Sequence, residues 1–417
     1  MASIQKGSNT LSDVFALDVS KGHSAGTWYR GDQCLKEFEC IHDQVGFAQL
    51  YEMIKQADNP VVYFEATGIY SQPLVRFCQD HQLRYCRLNP LELHLNSEKL
   101  RRVKTDQKDA HKIALSVMHH QYRLTTPWTP EYEQVRQLSR FYQQIIKDVK
   151  HTRLELYSAL QQTFPEIEEL FSSRVSKLAL NVVLLFPHPD FVRGISRTCL
   201  KNKLMSQTDK KLSKAKGLQY AEKLITFAKD SYPSADADSV QVQEVQYYCR
   251  RLIELAQQED ALRKQLITAA KPQAEFQLYQ SMPGIGALSA AQLVGELGDI
   301  LRFDNSKQLN AYVGIDLNRY QSGEYTRQDH INKRGNSHAR ALLYVIIKNM
   351  IRKQAAAPNH IIDYYYKLKK QPIPKLDKVA MVACMNKTLK CLYAMVMTGT
   401  KYRYRYTDSK STNHTES

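Results

Sequence analysis

Four carboxylates have the types and spacing to do chemistry: Asp18, Glu65, and the pair Asp106 and Asp109 within Lys104-Thr105-Asp106-Gln107-Lys108-Asp109-Ala110. Asp18 and Glu65 end two short apolar, β-branched runs, Val14-Phe15-Ala16-Leu17 and Val61-Val62-Tyr63-Phe64, that read as buried strands. A carboxylate at the end of a central strand is costly to bury unless a cation meets it. Asp106 and Asp109 lie three apart at the start of an expected helix, so they share a face. Four converging acids repel one another, and a divalent metal is the natural remedy. Hard oxygen donors favour magnesium or manganese. Two such ions about 4 Å apart can hold the attacking and leaving oxygens of a phosphodiester. A plainer reading stands beside this one. Asp106 and Asp109 could cap a helix and complement its dipole, and Glu65 could be a polar strand end.

Elements able to position these acids follow from the pattern. Residues 13–20, 25–30, 34–40, 60–65 and 83–88 read as strands, with helices near 44–57 and 69–80. The first three strands are close together, as in an antiparallel meander, and the rest alternate with helices. That order suits an RNase H-like α/β layer over residues 12–125. Pro127 and Pro130 then break the chain. Val135, Leu138, Tyr142, Ile145, Val149, Thr152, Leu156 and Ala159 alternate spacings of three and four, which is a coiled-coil seam. A weaker seam runs from Val242 through Val245, Cys249, Leu252, Leu255 and Leu262 to Leu266. These arms span 131–270. They could pair with each other or with a second protomer, and spacing alone leaves both open. Between them, about 164–235 forms an apolar-rich insert to which the sequence assigns no function.

The C-terminal part, 275–406, carries further motifs. Met282-Pro283-Gly284-Ile285-Gly286 before Ala290-Ala291-Gln292-Leu293 resembles a helix-hairpin-helix turn. In such a turn Gly284 and Gly286 let the backbone approach a phosphate at a helix N-terminus; an ordinary helix–helix turn has the same look. Ser322 lies in Arg319-Tyr320-Gln321-Ser322-Gly323-Glu324. By residue type alone it is a turn serine, and its hydroxyl becomes a nucleophile only if a base or metal activates it. Lys333, Arg334 and Arg340 are candidate phosphate clamps. The run Lys99, Arg101, Arg102, Lys104 and Lys108 beside Asp106 is expected to line a polyanion path.

The formal net charge is +16, and residues 330–406 hold 16 Lys or Arg against two acids, Asp363 and Asp377. That excess, with Tyr364-Tyr365-Tyr366 and Tyr402-Arg403-Tyr404-Arg405-Tyr406 available to stack on bases, points to nucleic acid. No apolar run approaching the ~18 residues of a membrane span is evident, so no membrane partner is expected. Eight scattered cysteines without a Cys-x-x-Cys argue against a zinc ribbon and fit a reducing cytoplasm. The tail 407–417 is expected to be disordered.

Together these motifs resemble the DEDD transposases of bacterial insertion sequences, a group related to the Piv-type DNA invertases. The resemblance rests on Asp18, Glu65 and the Asp-x-x-Asp of Asp106 and Asp109. It extends to Met282-Pro283-Gly284-Ile285-Gly286, Tyr312-Val313-Gly314-Ile315, Gln321-Ser322-Gly323 and Lys333-Arg334-Gly335. It implies a RuvC-like, RNase H-like N-terminal domain, coiled-coil helices and a mainly helical C-terminal domain. The resemblance also implies that Ser322 is the nucleophile of a recombinase and that a structured bridge RNA pairs with double-stranded donor and target DNA. A homodimer or homotetramer in the bacterial cytoplasm is implied too, with active sites shared between protomers. Two alternatives stand beside this reading: a resolvase-like nuclease in which water attacks and Ser322 is inert, and a non-catalytic nucleic-acid-binding protein that keeps the scaffold, against which the presence of all four acids argues.

Overall fold

The computed structural model describes residues 12–96, 105–208, 212–318, 321–322, 325–326 and 330–404. Lys99, Arg101, Arg102 and Lys104 of the expected basic run, and the tail 407–417, lie outside the described residues. The chain divides into two compact units, residues 1–127 and 128–417.

The first unit is a mixed sheet with helices. In chain order it comprises β1 (Val14–Ser20), β2 (His23–Arg30), β3 (Gln33–Ile41), α1 (Gln44–Lys55), β4 (Val61–Glu65), α2 (Gln72–Asp80), β5 (Arg84–Leu88), α3 (Pro90–Asn96) and α4 (Asp106–His119). The strands order as β3-β2-β1-β4-β5. β1, β2 and β3 pair antiparallel, as the meander expectation has it, whereas β1–β4 and β4–β5 pair parallel. Both faces of the central strands are covered, which explains why their sequences are apolar runs rather than alternations. Phe15, Leu17, Val62 and Phe64 pack with Leu50, Ile54, Leu74 and Phe77 of α1 and α2. Val14 and Ala16, joined by Tyr63, pack with Ile113, Ala114 and Val117 of α4.

Asp13, fully buried just before β1, ties this unit together. It accepts from Arg30 at 2.9 and 2.7 Å, from the Trp28 indole at 3.1 Å and from the Asp58 amide at 3.0 Å. Burial alone would raise the Asp13 carboxyl, but the bonds from Arg30, Asp58 and Trp28 outweigh it and hold it below its ordinary 3.8. A depressed carboxylate contributes stability above its unfolded value, and that stability is lost as pH falls through the folded one. Asp13→Asn is therefore expected to lower the thermal midpoint at neutral pH and to reduce the further fall on acidification below pH 4. A variant as acid-sensitive as the parent contradicts this role; a calorimetric pH series is the check.

The second unit is mostly helical. It comprises α5 (Pro130–Thr163), α6 (Lys177–Leu185), α7 (Arg197–Ser206), α8 (Lys214–Asp230), α9 (Val240–Ala270), α10 (Ala274–Gln280), α11 (Ala287–Leu297), α12 (Ser306–Val313), the short strands β6 (Leu317–Asn318), β7 (Gln321–Ser322), β8 (Tyr325–Thr326) and β9 (His330–Ile331), and α13 (Ser337–Arg352), α14 (His360–Lys369) and α15 (Asp377–Thr398). The two heptad seams meet each other. Early residues of α5, Val135, Tyr142 and Ile145, share a core with late residues of α9, Leu255, Leu262 and Leu266. Leu156 and Ala159 share another with Val245, Cys249 and Leu252. The arms thus form an antiparallel hairpin within one chain, and α6, α7 and α8 pack on its far end.

α15 is long and apolar enough to cross a membrane. Its Ala380, Met381, Cys384, Met385, Leu389 and Leu392 are instead buried in the core with α13 and α14, and Lys378, Lys387 and Lys390 interrupt the run. The polar interruptions hid it in the sequence, and its packing makes it a core helix.

Because Ile145 is buried against α9, Ile145→Asp places an unpaired charge in that core. The expected result is a loss of about 3 kcal/mol or more in unfolding free energy. A folded variant with an unchanged midpoint and only a reduced mass by light scattering would show that the seam joins protomers instead.

Candidate functional site

The parallel register of β1 and β4 places the first two acids. Leu17 pairs with Phe64, so Asp18 and Glu65, the next residue of each strand, stand side by side at the carboxyl ends. Side chains alternate along a strand, so Asp18 shares a face with Ala16 and Glu65 with Tyr63. That is the face α4 covers. Gln107 Nε2 donates to the Gly26 carbonyl at 3.1 Å, and Gly26 pairs with Leu17. The first turn of α4, with Asp106 and Asp109, is thereby fixed over the strand end that carries Asp18. All four sequence-predicted acids come to one side of one sheet.

Thr105 caps α4, its hydroxyl accepting from the Lys108 amide at 3.3 Å. The capping role is therefore filled, and neither aspartate is needed for it. Asp106 is exposed; Asp109, half-buried, pairs with Lys112 at 2.5 Å. Asp18 and Glu65 are half-buried, and each has an interaction of its own. Among the described residues, no three His, Cys, Asp or Glu side chains are close enough together to hold a metal ion. The donor set is nonetheless chemically apt: four hard carboxylates, with one cation, Lys112, already paired with Asp109.

The sequence reading missed His111, one turn along α4. Its Nδ1 lies 2.8 Å from the Tyr29 hydroxyl, and its Nε2 donates to Glu37 Oε1 at 2.8 Å. The chain of three polar groups braces α4 on β2 and β3. Its signal in the sequence was only a histidine two residues beyond Asp109.

In the second unit, β6 pairs with β9 and β7 with β8, one ladder nested inside the other. Ser322 is in the inner ladder, opposite Tyr325; its side chain lies outside the described atoms. Asn332 anchors the base, its amide nitrogens reaching the Asp316 carbonyl at 2.9 Å and carboxylate at 3.2 Å. Lys333 follows with φ of 61° and donates its amide to the Gly314 carbonyl at 3.0 Å. Gly314, with φ of 75°, and Gly335 interlock: a Cβ on Gly335 would stand 2.3 Å from the Tyr312 carbonyl oxygen and 2.4 Å from the Gly314 amide nitrogen. Only glycines allow this approach. Lys333 and Arg334 are exposed. Arg340 instead donates to the Val313 carbonyl at 2.8 Å, so at least part of its guanidinium closes the end of α12.

Gly284 and Gly286 occupy the turn between α10 and α11. Gly284 has φ of 88°, and a Cβ there would meet Met350 Cγ at 2.4 Å. Its glycine is required by packing. Gly286 is exposed and precedes α11 without a side-chain cap. Two of the aromatics proposed for base stacking are committed elsewhere. Tyr365 is buried and donates to Asp377 at 2.5 Å, and the Tyr402 hydroxyl meets the His360 amide at 2.9 Å.

The chain is thus a two-part protein, a mixed-sheet unit with Asp18 and Glu65 at adjacent strand ends and a mostly helical unit with a long hairpin and a glycine-locked turn. Residues 15–165 match the family described as the DEDD transposase of IS110 type. Residues 276–362 match the transposase IS116/IS110/IS902 family. The chain belongs to the IS110 family of DEDD transposases. Among its relatives is the transposase for insertion sequence element IS1111A of Coxiella burnetii, 36% identical over 93 residues, 22% of this chain and 26% of that protein. A Pseudomonas aeruginosa protein described as a probable family 20 transposase is 27% identical over 146 residues, 34% of this chain and 41% of that protein. The IS110 insertion element 43.6 kDa protein of Streptomyces coelicolor is 24% identical over 315 residues, 72% of this chain and 73% of that protein. The first two alignments thus span less than half of the relatives they match.

Thr105→Ala should cost about 1 kcal/mol of stability, the value of a helix cap. Asp106→Asn should change stability by no more than about 0.5 kcal/mol, because Asp106 is exposed and Thr105 fills the cap. Equal losses in the two variants would make Asp106 a structural residue.

Proposed function

We propose that this chain is a DNA transposase that cuts and rejoins strands at a divalent-metal site held by Asp18, Glu65, Asp106 and Asp109, with Ser322 as nucleophile. The observation that carries this reading is the placement of Asp18 and Glu65 side by side at the ends of parallel β1 and β4, under the first turn of α4. A mixed sheet with this order is compatible with an RNase H-like layer. Magnesium or manganese, when bound, would neutralise the carboxylates and polarise the scissile phosphate. Drawing the acids together then requires Asp109 to exchange Lys112 for the ion.

The Ser322 hydroxyl would attack phosphorus, form an Oγ–P bond and break the bond to the 3′ oxygen. The serine proton leaves to solvent, and the released 3′ oxygen takes one up. The phosphoserine diester keeps the energy of the broken bond, so a 3′-hydroxyl of another strand can reverse the step on a new partner without ATP. Ser322 and the acids lie in different units, and the family resemblance implies a dimer or tetramer with active sites shared between protomers. A bridge RNA pairing with donor and target DNA is the guide implied by the family resemblance. The exposed Lys333 and Arg334, which follow β9, suit phosphate contacts.

Asp106→Asn tests the metal site. The variant should keep its fold and its DNA affinity and lose strand cleavage in magnesium, and manganese should raise the thermal midpoint of the parent but not of the variant. Parent-like cleavage by this variant would remove Asp106 from the site.

A further inference from the structure

The strap after α15 has a role that the turn motif alone did not suggest. Residues 400–404 run back to the α10–α11 turn. Ser281 Oγ donates to the Leu278 carbonyl at 2.6 Å and accepts the Tyr402 amide at 2.9 Å. The Tyr402 hydroxyl accepts the His360 amide at 2.9 Å, and the Tyr404 ring lies edge-on to the His360 ring at 4.9 Å. The strap is therefore pinned to the start of α14 and to the turn that holds Gly284. Exposure alternates along it: Tyr402 and Tyr404 are half-buried, while Lys401 and Arg403 are exposed. In an extended chain that alternation turns the tyrosines inward and both cations outward.

The end of α13 reaches the same turn. Met350 packs against Gly284, and the exposed Arg352 and Lys353 follow two and three residues later. One exposed acid, Asp363 on α14, acts on Tyr402. Four exposed cations therefore sit on the two segments that meet at this turn. The tyrosines, which the sequence alone offered as base-stacking groups, are here the anchors that hold the charges in place.

We propose that Lys401 and Arg403, with Arg352 and Lys353, form a phosphate-docking face for the backbone of duplex DNA, assembled by the Tyr402–Ser281 and Tyr402–His360 clasps. The proposal rests on the nucleic-acid reading above. It assigns the strap to backbone contact, which positions the duplex without reading sequence.

The test is fluorescence-anisotropy binding of the full chain to duplex DNA of arbitrary sequence across a salt series. Lys401→Glu with Arg403→Glu should weaken binding roughly tenfold or more near physiological salt and make the log–log salt slope shallower by about 0.9 per lost contact. Lys370→Glu with Lys375→Glu imposes the same charge change at the opposite end of α14 and should bind within about twofold of the parent. Thermal midpoints of both variants verify folding. A strap variant with parent affinity and slope, or a control that weakens equally, overturns the docking face while the parent's own binding leaves the transposase reading standing. A parent chain that does not bind DNA overturns both.

Discussion

Parallel pairing of β1 with β4 is the constraint on which the rest of the site depends. It sets two carboxylates at one level, where like charge makes them costly unless a cation is near. A one-residue slip would turn Glu65 to the opposite face and into the apolar layer of α1 and α2. The register is held by that layer, since Phe15, Leu17, Val62 and Phe64 must all stay inside. Apolar burial on one face thus enforces an electrostatic arrangement on the other. The Asp13 cluster at the amino end of β1 and the Gln107–Gly26 bond at the carboxyl end fix the neighbouring pieces.

The second unit solves a different problem, holding a short hairpin and a basic loop at defined positions without a large sheet. Two glycines in backbone contact, Gly314 and Gly335, join the end of α12 to the start of α13. Asn336 then caps α13 and reaches back to buried Glu296, with Nδ2 to Oε2 at 2.9 Å. Arg140 on α5 meets the same carboxylate at 3.3 Å. The base of the segment that carries Ser322 is thereby referenced to the long helical hairpin. In the apolar interior such a buried charge is tolerable only because it is both paired and hydrogen-bonded.

Strand ends and their acids were legible in the sequence because apolar runs of this length and branching have few other uses. The meander and the change to strands separated by helices followed from spacing. Pairing of the two heptad seams was not legible, since three-and-four spacing marks a face and says nothing of its partner. Nor was the α4 cap: Thr105 sits among acids that could equally have capped. Arg340 and Tyr402 read as surface groups for nucleic acid, yet the fold uses the first on a carbonyl and the second as a clasp. Long-range hydrogen bonds of that kind leave no local pattern. The α15 helix escaped because lysines punctuate its apolar run, and only packing shows which of its sides is inside.

The central claim is that Ser322 carries the cut strand. Its most direct measurement is denaturing isolation of the protein after reaction with duplex DNA in magnesium, followed by peptide mapping by mass spectrometry. The account predicts a detergent-stable adduct in which the peptide containing Ser322 carries a nucleotide through its 5′-phosphate. Cleaved DNA bearing free 5′-phosphates, with every Ser322 peptide unmodified, would contradict it and assign the attack to water.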